Sequence, residues 1–128
     1  MKNLLLLFLV FILSFVYNAP SYAVLSDEKR KEIKALYNSN SLDEAYKQIS
    51  KITEDERDYE LWYILANISQ DKGSSENAVF FLKKAVNLNP KFDKAYYNLG
   101  NIYLSENRYN MAVKEYKKAV KYKRDFAP

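Results

Sequence analysis

The chain has 128 residues, a net charge of +4 and neither histidine nor cysteine. Their absence removes the commonest general base at neutral pH, the Cys–His and Ser–His nucleophile pairs, the main zinc ligands and any disulfide. The two glycines are isolated, so the chain has no glycine-rich phosphate loop. We therefore expect no catalytic site, metal or cofactor, and the mild charge gives no reason to expect nucleic-acid binding.

The N-terminal segment, up to Ala23, has the layout of a secretory signal peptide. Lys2 is followed by an almost unbroken apolar run over residues 4–17 and then by the small-residue site Ser21-Tyr22-Ala23. The apolar run is short for a membrane-spanning helix, which needs about 20 residues. We predict cleavage after Ala23 and export of the protein to the periplasm or the medium. The alternative is an uncleaved N-terminal segment that tethers the chain to a membrane.

The rest of the chain predicts six helices, each with apolar residues at helical spacing. They cover residues 27–37, 42–53, 59–72, 75–88, 92–106 and 109–123. Ser26 and Ser74 are predicted N-caps, and Ser41 with Glu44 has the pattern of a capping box. Gly73 and Asn107 stand where a left-handed residue ends a helix.

An internal sequence repeat organises these helices. When residues 59–92 are aligned with residues 93–126, eleven positions are identical. The two blocks are offset by 34 residues. A period of this length is typical of arrays of helix–turn–helix repeats. The small residues Ala66 and Gly100 in the first helix of each pair let the second helix approach closely.

These residues resemble the tetratricopeptide repeat (TPR), whose pattern spaces Trp, Leu-Gly, Tyr, Ala, Phe and Pro along two helices. The first copy reads Trp62, Leu65-Ala66, Ser69, Ala78, Leu82 and Pro90; the second reads Tyr96, Leu99-Gly100, Tyr103, Ala112, Tyr116 and Arg124. Ser69 and Arg124 depart most clearly from the pattern. The resemblance implies an all-α fold, a short right-handed TPR solenoid of antiparallel helix pairs.

The predicted array has two clear repeats, residues 59–92 and 93–126, which we call repeat I and repeat II. Upstream, Ala45, Ile49 and Ile52 match repeat I at an offset one position shorter than the repeat period. We therefore predict that residues 24–58 form a degenerate, highly charged TPR-like unit, as the capping end of a solenoid requires.

The resemblance implies a non-catalytic adaptor or scaffold that binds a peptide or partner helix on its concave face. By this analogy the face is lined by the first helix of each pair, and asparagine and tyrosine suit contacts with a peptide. The residues concerned are Tyr63, Ile64, Asn67, Gln70, Tyr97, Asn98, Asn101 and Leu104. The alternative is that several of them are generic residues of the repeat.

The last predicted helix is strongly basic. Its cationic residues are Lys114, Lys117, Lys118, Lys121, Lys123 and Arg124. They suggest an alternative function, the binding of an anionic envelope or membrane surface. A solvated helix face would show the same composition.

Arrays of this family usually carry an extra helix over the last repeat, whereas here too few residues for another helix follow the sixth one. We therefore expect a partly uncovered apolar end, and exposed apolar patches usually mark interfaces. The residues predicted there are Val113, Tyr116, Val120 and Tyr122. A second copy of the chain or another protein could pack against them.

Overall fold

The computed structural model describes residues 3, 4, 7 and 25–125. The predicted signal peptide lies outside this part except at those three positions. Residues 25–125 form six α-helices and no strand. The helices are α1 (Asp27–Asn38), α2 (Leu42–Ser50), α3 (Tyr59–Asp71), α4 (Ser75–Leu88), α5 (Asp93–Ser105) and α6 (Tyr109–Asp125). Among the described residues, no helix has the length and apolarity needed to span a bilayer.

The helices agree closely with the predicted ones, and α2 is the main exception. It ends at Ser50 instead of residue 53, and a 3-10 turn follows at Glu54–Glu56. Ile52 turns its side chain into the core, where it is 7% exposed. The Arg57 guanidinium Nε donates to the Ile52 carbonyl over 3.1 Å, which holds the chain in this bend. The connection to α3 is therefore an ordered turn.

Ser26, Ser41 and Ser74 occupy the predicted N-cap positions, but two of them lack the predicted side-chain bond. Ser26 accepts a bond from the Lys29 amide, as predicted, but the side chains of Ser41 and Ser74 make no cap bond. Ser26 has the extended backbone that a cap needs, with ψ 146°, whereas Ser41 and Ser74 have ψ 59° and 80°. The sequence analysis also missed Asp58, whose carboxylate accepts from the Leu61 amide over 2.9 Å.

The same tight turn joins the two helices of every pair. Asn40, Gly73 and Asn107 adopt left-handed φ angles of 61°, 76° and 60°. The amide after each of them donates to a carbonyl five residues earlier, and all three bonds measure 2.8 Å. This is the Schellman arrangement. It confirms Gly73 and Asn107, and Asn40 gives the charged N-terminal unit the same turn.

One core runs through all three helix pairs. Packing is closest within the α3–α4 and α5–α6 pairs and looser between α1 and α2. Ala66 and Leu82 are both 0% exposed in repeat I. In repeat II, Gly100 takes the place of Ala66 because a Cβ there would lie 2.5 Å from the Tyr116 ring. The smaller residue and the larger ring compensate for each other across the pair.

Candidate protein-interaction surface

A ladder of side-chain hydrogen bonds joins the first helices of the three pairs. The Asn67 amide nitrogen on α3 donates to the Tyr37 hydroxyl on α1 over 2.9 Å. The Asn98 amide on α5 donates to Asn67 Oδ1 over 2.8 Å and lies 3.3 Å from the Tyr63 hydroxyl. Burial raises the pKa of the Tyr37 phenol, although the bond from Asn67 acts in the opposite direction. Asn67 and Asn98 therefore hold neighbouring helices together, as the generic-residue alternative supposes.

The eight predicted groove residues differ in how accessible they are. Tyr97 and Leu104 on α5 are 56% and 47% exposed. Ile64 is only 4% exposed and belongs to the core, which corrects its placement on an accessible face. The other five residues are half-buried: Tyr63, Asn67, Gln70, Asn98 and Asn101.

A cavity of about 580 Å³ brings three of these residues to one place. Its walls come from the start of α5, the end of α6 and one residue of α3. They are Tyr63, Asp93, Lys94, Tyr97, Asn98, Ala119, Val120 and Lys123. Sequence reasoning named Asp93, Lys94 and Ala119 at no candidate surface, and it placed Lys123 only on the basic face of the last helix. Ala119 was left out because the groove was assigned to the first helices alone. The repeat carried a signal for Ala119, which matches Ala85 of repeat I.

Repeat II also exposes an apolar face that repeat I buries. Val113 and Val120 on α6 are 50% and 51% exposed. Tyr116 lies beside them, with its ring centroid 5.8 Å from that of Tyr97 on α5. We call these four residues the open face: Tyr97, Val113, Tyr116 and Val120. A shallow cavity of about 300 Å³ lies between Val113, Tyr116, Lys117 and Val120.

Tyr122 does not belong to the open face, contrary to the prediction. Its ring packs on Tyr96 of α5 with centroids 5.5 Å apart, and the side chain is partly buried against the core. The reason is helical geometry: nine residues after Val113, a side chain has turned by about 180° around the helix axis. Tyr122 therefore closes the α5–α6 pair.

The basic residues of α6 have different environments. Lys118 is 3.1 Å from both carboxylate oxygens of Glu115, and its ammonium lies 5.1 Å from the centre of the Tyr96 ring. Glu115 is only 8% exposed, so its ion pair with Lys118 has a structural role. The other five cationic side chains are exposed: Lys114, Lys117, Lys121, Lys123 and Arg124. Among the described residues, no group of acidic side chains is arranged to hold a metal ion.

Comparisons with known proteins agree on the repeat. A model described as "Tetratricopeptide repeat" matches residues 93–126, and one described as "TPR repeat" matches residues 66–105. The chain is 36% identical over 55 residues to human "Tetratricopeptide repeat protein 6", a match covering 43% of this chain and 11% of that protein.

The fold is similar to that of a solved structure, the crystal structure of MamA. The TM-score is 0.52 at 24% identity, with 77% of this chain and 51% of that chain covered. At this identity the likeness shows the fold alone. The chain spans only a small part of the human relative and about half of MamA. The matches and the six antiparallel helices show that the chain contains tetratricopeptide repeats and folds as a short all-α TPR solenoid.

Proposed function

We propose that the protein is a non-catalytic adaptor or scaffold that binds another protein on the concave face of its solenoid. TPR repeats generally mediate protein–protein interactions. The observation that carries the proposal is the exposure of Tyr97 and Leu104, large apolar side chains on α5 that are 56% and 47% exposed. Tyr97 lines the cavity of about 580 Å³. Tyrosine offers apolar area together with a polar tip, and this combination is favoured at interfaces.

The bonded asparagines have a supporting role in this function. Asn67 and Asn98 fix the spacing of the first helices, and the exposed side chains of α5 then provide the contact. A rigid surface of this kind loses little conformational entropy on binding. The bound partner is a peptide segment or a helix of another protein.

A crosslinked pull-down from the native cell envelope tests the proposal. The test variant combines Tyr97→Ser with Leu104→Ser, and the control combines Tyr46→Ser with Leu88→Ser. The control pair removes side chains of similar exposure, 45% and 55%, from other helices. We expect the test variant to lose at least about tenfold in capture of the co-purifying protein, as loss of an aromatic anchor does. Equal capture by the two variants would place the binding surface elsewhere.

We further propose that the protein works outside the cytoplasm after cleavage behind Ala23, on the basis of the charged start, apolar run and small-residue site. The mass of the protein isolated from its native source tests this directly. A mass that corresponds to a chain starting at Val24 supports export with cleavage. An intact N-terminus in the membrane fraction supports the tethered alternative.

A second candidate function is the binding of an anionic surface by α6. It is supported by the exposure of Lys114, Lys117 and Lys121 beside Val113 and Val120. Attraction of this kind weakens steeply with ionic strength. Cosedimentation with vesicles containing anionic lipid should therefore fall between low and physiological salt. Vesicles of neutral lipid serve as the control.

A further inference from the structure

The open face of repeat II has a covered counterpart inside the same molecule. In repeat I, the matching residues are Tyr63, Val79, Leu82 and Val86. Helix α5 packs on α4; Leu82 is 0% exposed, and the other three are partly buried against the core. Within residues 25–125 no helix follows α6, and Val113 and Val120 remain half exposed.

We propose that the open face binds an amphipathic α-helix of a partner protein, which lies on α6 as α5 lies on α4 and carries acidic residues beside its apolar face. The proposal rests on the protein-binding function above and names the kind of partner. It also adds α6 to the binding surface.

Helix α5 and the residue before it show what such a helix presents. Phe92 packs edge-on against Tyr59 and Tyr63, with ring centroids 4.9 and 5.1 Å apart. Ala95 and Leu99 are 0% and 2% exposed, and Asn98 bonds to the earlier repeat. The pattern begins with an aromatic residue, Phe92. Counted from it, a small residue stands three positions later, an amide six positions later and a large apolar residue seven positions later. We expect the partner helix to repeat this order.

The polar part of this arrangement is also repeated on the open side. Tyr97 and Asn101 occupy the positions of Tyr63 and Asn67, the two residues that Asn98 contacts in repeat I. Asn101 Oδ1 accepts a bond from the Tyr116 hydroxyl over 2.6 Å. An amide oxygen has two lone pairs, so Asn101 can accept a second bond from a partner amide.

The charge around the open face differs from the charge around the matching residues of repeat I. This difference sets the charge that we expect of the partner. The two cavities that flank Val120 include Lys94, Lys117 and Lys123, with Asp93 as the acidic member. The equivalent residues of repeat I are Glu60, Lys83, Asn89 and Tyr59. The surroundings of the open face are thus net positive, whereas the matching surroundings in repeat I are neutral. Acidic residues beside the apolar face of a partner would be attracted to it.

A second copy of the chain fits this surface less well. Two open faces packed together would bring Lys94, Lys117 and Lys123 against their equivalents, and like charges at an interface are unfavourable. Packing of the open face on α1 of another copy would gain few apolar contacts, because α1 has no large apolar side chain among the exposed ones. The partner is therefore better sought in another protein.

A designed peptide pair tests the proposal by fluorescence anisotropy with the purified protein. Both peptides have the length of α5 with the residue before it, are held helical by a side-chain bridge and carry Phe, Ala, Asn and Leu in the order described. One has glutamate at its four flanking positions, and the other has lysine there. We expect the glutamate peptide to bind at least about tenfold more tightly at low salt, because it complements the basic side.

Substitutions in the protein locate the bound peptide. Val113→Glu with Val120→Glu should weaken binding of the glutamate peptide at least about tenfold, since it places charge within the contact. The control, Tyr46→Glu with Leu88→Glu, alters equally exposed apolar residues on other helices and should leave binding unchanged. Thermal melting of both variants should match that of the unchanged protein.

Four results would overturn the proposal. The first two are no binding of the glutamate peptide at about millimolar concentration, where weak complexes are still detected, and equal binding by the Val113/Val120 variant. The third is sedimentation showing a dimer that this variant dissociates, which would assign the open face to a second copy. The fourth is that the peptide does not bind the unchanged protein, whereas anionic vesicles do and the Val113/Val120 variant loses this vesicle binding. That result would assign the open face to a membrane.

The proposal can fail while the proposed function stands. In that case the Tyr97/Leu104 variant loses its native partner, whereas the Val113/Val120 variant captures it normally. If neither variant changes capture, both surfaces are wrong and the protein-binding function itself must be placed elsewhere.

Discussion

Repeat I and repeat II contain the same residues at eleven positions, yet these residues have different environments in the two repeats. Val86 is partly buried against the core, and its equivalent Val120 is 51% exposed. Helix α5 packs on the first repeat, and within the described residues no helix packs on the second in the same way. The same repeat position is therefore a buried structural contact in one copy and an exposed apolar surface in the next.

The two repeats also differ in how they close their own helix pairs. Repeat I packs Trp62 against Phe81, with ring centroids 5.7 Å apart. In repeat II the equivalents are Tyr96 and Glu115, and Lys118 joins them through its contacts with both. Repeat II therefore replaces an apolar ring with an ion pair, whose net stabilisation is commonly small. We expect repeat II to open before repeat I.

The largest expected effect comes from placing one charge at two equivalent positions. Val86→Glu should lower the free energy of unfolding by about 3 kcal/mol, because it forces a carboxylate between α4 and α5. Val120→Glu should change it by less than about 0.5 kcal/mol, as an exposed site allows. Urea unfolding followed by circular dichroism measures both. Similar losses at the two positions would mean that the open face is covered in solution.

The next effect concerns the compensation between Gly100 and Tyr116. Gly100→Ala should destabilise the protein by about 1–2 kcal/mol, because the new methyl group displaces a ring only 2.5 Å away. Gly100→Ala together with Tyr116→Leu recreates the Ala66–Leu82 combination of repeat I. Denaturant unfolding should show that the double variant recovers most of the loss. Additive losses would contradict the compensation.

A smaller effect is expected from the paired asparagines. Asn67→Ala removes bonds to Tyr37 and Asn98 and should cost about 1–2 kcal/mol. Asn101→Ala removes a single bond from Tyr116 and should cost about half as much. Thermal unfolding under identical conditions compares the two. A larger loss of stability for Asn101→Ala than for Asn67→Ala would contradict the prediction that the two hydrogen bonds of Asn67 stabilise the fold more than the single bond of Asn101.

The smallest effect is a change in alkaline stability. Burial raises the pKa of Tyr37 above its ordinary value of 10.0, so its contribution to stability is present below pH 10 and disappears as pH rises through the raised value. The unchanged protein should therefore lose stability more steeply above pH 10 than Tyr37→Phe does. Unfolding curves between pH 9 and pH 11 test this, and parallel curves would contradict it.

Local patterns were sufficient to predict the helices and the fold. The Gly73 and Asn107 turns, the apolar stripes and the repeat period all depend on neighbours within a few residues or on comparison between copies. The two missing cap bonds have a common physical origin. Whether Ser41 and Ser74 cap a helix depends on backbone angles, and those are set by the turn that joins the two helices.

The sequence by itself determined that this chain folds into TPR helix pairs, because helix periodicity and repeat spacing are encoded locally. Only the tertiary structure decided which repeat residues are available. It buried Ile64, turned Tyr122 inward, used Asn67 and Asn98 as links between helices and left Val113 and Val120 exposed. The reason is that exposure depends on whether another helix lies opposite, and identical residues cannot encode that difference.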